Sequence, residues 1–287
     1  MILEHIIVPV DLSPESLAAI PVAAALAHAT GGHVEVVAVV DDERQVRATT
    51  TELVHHLALL GLPVTIHREV VVHASAAAAI VTKLEHTPGA MLLMRSQGRG
   101  RSAAVLGSTL AEVLRRSHRP VVVLGPHADL THCDLGGEYF VPLDGSANAE
   151  AVLPIVATWA REFGGTPTVV EVASSRYADS SASAYLRTQA AGLSQRVGRT
   201  VDYELIHGGD IGLAIASQAG AVGASMVFLA THGRTGLGRL AAGSVAAGVV
   251  RHARMPVVVY RPIQVGDAED GIAPYSSAAT LVGSGAS

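Results

Sequence analysis

The sequence predicts an α/β protein of two tandem doubly wound domains, each a five-stranded parallel sheet with helices on both faces. Two observations carry this. First, the 287-residue chain repeats itself: Val8-Pro9-Val10-Asp11-Leu12-Ser13 returns 133 residues later as Val141-Pro142-Leu143-Asp144-Gly145-Ser146. Arg119-Pro120-Val121-Val122-Val123-Leu124 returns 136 residues later as Met255-Pro256-Val257-Val258-Val259-Tyr260. A repeat this long is a duplicated domain, because solenoid units span only roughly 20–50 residues. Half the chain is also an ordinary domain size. Second, short β-branched runs alternate with longer helical patterns in each copy. Apolar strands alternating with helices imply a parallel sheet covered on both faces.

In the first copy, His5–Val10 reads as a buried strand ending in Pro-x-Asp. Ser13 then caps an Ala/Leu-rich helix with Glu15 in its first turn, stopped by Gly31-Gly32. Strand His33–Val40, helix Glu43–Leu60, strand Val64–Val72 and helix Ser75–His86 come next. Strand Met91–Met94 leads through a Gly- and Arg-rich loop to helix Ser108–Ser117 and the last strand, Val121–Leu124. The second copy repeats the order. Its strands are expected at Glu138–Leu143, Thr168–Val172, Val201–Ile206, Met226–Ala230 and Val257–Tyr260. Its helices are expected at Ala147–Phe163, Ser181–Val197, Asp210–Ala219 and Ser244–His252. These elements divide the chain into residues 1–126, a polar linker at 127–137, residues 138–263, and a Gly/Ala/Ser-rich tail at 264–287 that reads as disordered.

Composition narrows the function. A net charge of −5 supplies no global basic field for nucleic acid. The single cysteine, Cys133, excludes an intramolecular disulfide and a Cys-rich zinc site, and fits a cytoplasmic setting. Residues 211–230 carry no charge, but Ser217, Gln218, Ser225 and three glycines make them a helix, a break and a strand rather than a membrane span. Fourteen histidines suggest metal chemistry, yet none falls in a ligand spacing: His55 and His56 are adjacent, and no His-x3-His pair accompanies a carboxylate.

Doubly wound sheets bind ligands beyond the carboxyl ends of their strands, where strand order reverses. For the order 3-2-1-4-5 that crevice lies between strands one and four. Asp11 and Asp144 end the first strand of each copy, and the glycine loops come after the fourth. The strongest motif is the stretch from Ala230-Thr231-His232-Gly233-Arg234 to Ala242-Gly243-Ser244, a strand end, a small-residue loop and a helix entrance. Backbone N–H groups at a helix N-terminus, joined by a serine hydroxyl, form an anion site.

This stretch resembles the nucleotide loop of the universal stress protein family, G-x2-G-x9-G-[S/T]. Gly233, Gly243 and Ser244 match it, with Ala230 at the first glycine and His232 beside the loop. The flanking Arg-His-Ala-Arg-Met-Pro-Val-Val-Val also looks like that family, and the likeness extends over residues 1 to about 262 as two domains. In the family's ATP-binding members, the Asp ending strand one lies by the adenosine, the end of strand two meets adenine, and the Gly loop holds phosphates. The resemblance therefore implicates Asp144, Val172, Ala230, His232, Gly233, Gly243 and Ser244, and in the first copy Asp11, Val39, Gly98, Gly107 and Ser108. It implies ATP as ligand, accompanied by Mg, and a homodimer of the two-domain chain. The carboxylates have a second use, since an Asp there also caps the following helix.

The first copy departs from the pattern. Eight residues, not nine, separate Gly98 from Gly107; Arg95 stands at the first glycine and Gln97 at the histidine, with Arg99 and Arg101 nearby. Either these arginines hold phosphates as side chains, or Arg95 fills the pocket. At Ala230 the added methyl is tolerable only if φ is negative.

No G-x4-G-K-[S/T] or G-x-S-x-G motif is present, and Lys83, the only lysine, is far from either glycine loop. The expectation is a regulatory nucleotide-binding protein with at most slow ATP hydrolysis and no catalytic or metal residues to name. The alternatives are a slow ATPase or adenylyl-transfer enzyme, and a nucleotide-free dimeric scaffold.

Overall fold

The computed structural model describes residues 4–96, 106–131, 133–173, 180–231 and 243–263. The first half contains β1 (His5–Val10), α1 (Pro14–Leu17), α2 (Ala19–Thr30), β2 (His33–Val40), α3 (Glu43–Leu60), β3 (Ile66–Val72), α4 (Ala76–His86), β4 (Ala90–Arg95), α5 (Ser108–Arg116) and β5 (Val121–Leu124). The second contains β6 (Glu138–Pro142), α6 (Ala147–Glu150), α7 (Leu153–Phe163), β7 (Thr166–Ala173), α8 (Ser180–Val197), β8 (Asp202–His207), α9 (Ile211–Ala221), β9 (Met226–Ala230), α10 (Ser244–His252) and β10 (Val257–Tyr260). The tail expected to be disordered lies outside the described residues.

Each half has the predicted order: β3-β2-β1-β4-β5 in the first and β8-β7-β6-β9-β10 in the second. All pairs within a half are parallel. The halves do not remain separate sheets. β10 pairs antiparallel with β5, with Val257, Val258 and Val259 opposite Val123, Val122 and Val121, making one ten-stranded sheet. Alternate residues on each strand then feed two cores, one on each face, and both cores draw on both halves. On one face Trp159 and Tyr139 pack on Phe228, with ring centroids 5.5 and 4.8 Å apart. So few aromatic residues leave the rest to Val, Leu, Ile and Ala, the residues that dominate both cores.

Two helices predicted as continuous are broken. The helix after β1 divides at Ala18, and its counterpart after β6 divides at Ala151 and Val152. The cause is Pro21 in one half and Pro154 in the other. Proline has no N–H to bond the carbonyl four residues earlier, and its ring crowds that carbonyl. Those carbonyls belong to Leu17 and Glu150, the last residues of α1 and α6.

Candidate functional site

The site is built outward from the turn between β1 and α1. Asp11 Oδ1 accepts from the Ser13 N–H (3.0 Å) and from Ser13 Oγ (2.5 Å). Ser13 Oγ in turn accepts from the Ser16 N–H (3.2 Å), capping α1. The second half repeats the device: Asp144 Oδ1 accepts from Ser146 N–H (3.0 Å) and Oγ (2.6 Å), and Ser146 Oγ accepts from Ala149 N–H (3.1 Å). Each aspartate thus organises a helix start through one oxygen while standing exposed at its strand's carboxyl end.

At the neighbouring fourth strands the chain enters a helix through glycine. Side chains of Ser13, Asp42, Ser75, Ser146 and Asp210 cap α1, α3, α4, α6 and α9. Gly107 and Gly243 supply no such cap to α5 and α10. First-turn N–H groups without a capping side chain suit an anionic ligand, aided by the helix dipole.

In the first half these pieces meet. Asp11, Val39, Arg95, Gly107 and Ser108 line one cavity of about 260 Å³, together with Ser16, Ser96 and Thr109. Val37, Ala76, Ile80, Met94 and Leu110 give it an apolar wall. An apolar wall facing several convergent polar groups suits a small-molecule site. Sequence reasoning read Ser16 only as part of a helix start and did not single out Ser96 or Thr109; the signal of the last two is position, since Ser96 comes directly after β4 and Thr109 directly after the Gly-Ser step.

In the second half Asp144, Val172, Ala230, Gly243 and Ser244 occupy the corresponding strand ends and helix entrance. His232 and Gly233, like Gly98 in the first half, lie outside the described residues, as do Gln97, Arg99 and Arg101. Ala230 does not adopt a positive φ; among the described residues Leu12 is the only non-glycine that does. The methyl in place of the family's glycine therefore carries no backbone strain. Beside Asp144, burial and that aspartate's charge push the Glu171 carboxyl above its usual range.

The remaining inventory is sparse. Lys83 is committed to ion pairs with Glu35 (2.8 Å) and Glu69 (2.6 Å). Burial pushes the Cys133 thiol up to about 12, so it stays protonated. Among the described residues no group of three or more His, Cys, Asp or Glu could hold a metal ion, and no helix is long and apolar enough to cross a membrane.

The fold has counterparts in known proteins. The model of the universal stress protein family matches the chain twice, over residues 3–125 and 140–261. The chain belongs to the universal stress protein family. It is a tandem member, with one family match in each half. A universal stress protein from Archaeoglobus fulgidus DSM 4304 is 19% identical with a TM-score of 0.66, covering 91% of this chain and 99% of that one. A putative universal stress protein from Pseudomonas aeruginosa UCBPP-PA14 is 17% identical with a TM-score of 0.59, covering 90% and 93%. Another, solved in complex with cAMP, is 20% identical over 43% of this chain and 95% of that one, with a TM-score of 0.36. No curated protein sequence matches the chain.

Proposed function

We propose that this tandem universal stress protein binds ATP, or a closely related adenine nucleotide, beyond the carboxyl ends of its strands and acts as a regulatory protein of the stress response. The observation that carries the reading is the cavity that gathers Asp11, Val39, Gly107 and Ser108 beside an N-terminus of α5 that lacks a side-chain cap. In this reading Asp11 accepts from ribose hydroxyls or the adenine amino group. Val39 meets the base, and Ser108 with the first turn of α5 meets phosphate. Asp144, Val172, Ala230, His232, Gly233, Gly243 and Ser244 take the same parts in the second half, and Gly98 completes the loop of the first.

Binding alters conformation or partner choice rather than driving fast turnover. Lys83 is held by two glutamates, which leaves no lysine for a γ-phosphate. Magnesium enters with the phosphates rather than through a dedicated set of protein ligands. The setting is the cytoplasm, in keeping with a lone, protonated cysteine. A homodimer would use the outer strands β3 and β8, because β5 and β10 already pair with each other. Sedimentation of the full chain measures that.

Calorimetric titration with ATP tests the central proposal. Wild type takes up nucleotide. ATP at about 100-fold over its Kd raises stability by about 2.7 kcal/mol. Gly243→Val removes the second-half site and Gly107→Val the first. No heat and no thermal shift with any adenine nucleotide would sink the proposal and leave a scaffold. Phosphate release above about 1 s⁻¹ would turn the reading toward an enzyme.

A further inference from the structure

We infer that Arg95 is the anion anchor of the first half's cavity, holding a phosphate-bearing ligand through a side chain at the position where the family's loop has a glycine. The inference rests on the nucleotide reading above and adds to it the residue that selects for the phosphate.

Arg95 ends β4 and lines the cavity with Asp11, Gly107 and Ser108. Its Nη1 donates to the Gly125 carbonyl (2.9 Å). Its Nε is buried and has no hydrogen-bond partner among the described residues. No carboxylate among them pairs with it; Glu15 acts only through longer-range attraction, and burial pulls the guanidinium pKa down. The side chain is half-buried; an N–H of a cation held out of water without a partner is costly, and the cost is recovered when an anion arrives. The planar guanidinium can bind a phosphate through several of its N–H groups at once.

Two facts speak against a simple filler. The cavity keeps about 260 Å³ with Arg95 in place. In the second half the residue at the same register is Ala230, so the strand pairing does not itself require an arginine at this position. The anchor is also oriented in advance. A Cβ on Gly125 would lie 2.1 Å from the Val250 carbonyl oxygen, so the backbone that holds Nη1 is itself packed against α10 of the other half. Pre-positioning of this kind lowers the ordering cost of binding.

The test is calorimetry with ATP and with adenosine on the full chain, in a Gly243→Val background that removes the second half's phosphate contacts. Arg95→Gly, which restores the family residue, lowers ATP affinity by roughly ten- to a hundredfold, the usual range for hydrogen bonds to charged groups. Adenosine affinity stays the same. Arg95→Gln, which keeps most of the stem and removes the charge, shows the same selective loss, and Arg95→Lys recovers part of it. An ATP affinity that is unchanged or raised in both Arg95→Gly and Arg95→Gln overturns the inference while leaving the nucleotide reading intact. Absence of binding by both ATP and adenosine in the wild-type chain overturns the nucleotide reading and this inference with it; absence only in the Gly243→Val background overturns this inference alone.

Discussion

Position 12 and position 145 are the same place in the two halves, and they show how unequally the copies have settled. The backbone there is left-handed in both, with φ of 61° at Leu12 and 79° at Gly145. For an L-residue that conformation costs roughly 1–2 kcal/mol; Leu12 offsets part of it by packing on the core. The glycines at the helix entrances differ more. Gly243 has φ 71° and ψ 150°, a region that side chains avoid, whereas Gly107 has φ −56° and ψ 143°, open to any residue. The loop before Gly107 is one residue shorter in sequence, and the two halves enter these helices differently although the motif looks the same. Gly243→Ala should therefore cost roughly 1–3 kcal/mol from backbone strain. Gly107→Ala brings a Cβ 3.3 Å from the Ser96 carbonyl oxygen and should stay within about 1 kcal/mol, since a small shift relieves the contact. Urea denaturation of the two variants checks this; equal losses would contradict the difference in φ.

Elements were the most legible level, and their misses have definite causes. Strands such as His33–Val40 and helices such as Glu43–Leu60 could be read because β-branched runs and bounding Asp, Ser and Gly residues agree with each other. The breaks at Ala18 and Ala151 were missed although Pro21 and Pro154 were in view, because the Ala-rich run outweighed one missing donor. Ser96 and Thr109 were missed for a different reason: nothing in their local pattern tells which of many serines and threonines the topology will bring to Asp11. A further property belongs to strands in register. His5 lies opposite His33, and the rings of His5, His33 and His67 meet edge to face across β1, β2 and β3, with centroids 4.0 and 4.9 Å apart. Burial, then His5 and His67, pull the His33 pKa below 6.5, against the opposing pull of Glu35 and Glu4. The folded state thus prefers neutral His33, and the unfolded chain takes up the proton first as pH falls. Its contribution is present above about pH 6.5 and is lost as pH drops from there toward the folded-state value. Wild type should lose stability between about pH 7.5 and 5.5, a window that brackets the ordinary histidine pKa, and His33→Gln should lose less. Denaturant midpoints at the two pH values measure it; an equal pH dependence in both proteins would rule the histidine ladder out as its source.

At the scale of the whole molecule the duplication has become one object. As sequence, the apolar final strands Val121–Leu124 and Val257–Tyr260 satisfy pairing with each other as well as pairing with another chain. Pairing within the chain leaves β3 and β8 as outer edges and buries Val122 and Val258 completely at the seam. Both cores run across this seam, so neither half can open without exposing apolar surface of the other. The halves should accordingly unfold together despite being separate family domains. Trp159, the only tryptophan, is buried in the second half and reports on that half alone, while far-ultraviolet dichroism reports on both. In wild type the two thermal curves should coincide. Val258→Asp places a carboxylate with no counter-charge in the seam, at a cost of several kcal/mol. The Trp159 transition should then precede the dichroic one, because the mutated strand belongs to the second half and the first keeps its own parallel sheet. Freed of its partner, β5 also becomes an exposed apolar edge, so the variant should associate at temperatures between the two transitions. Curves that still coincide in Val258→Asp at an unchanged midpoint would show that the seam joins the halves without coupling their stability.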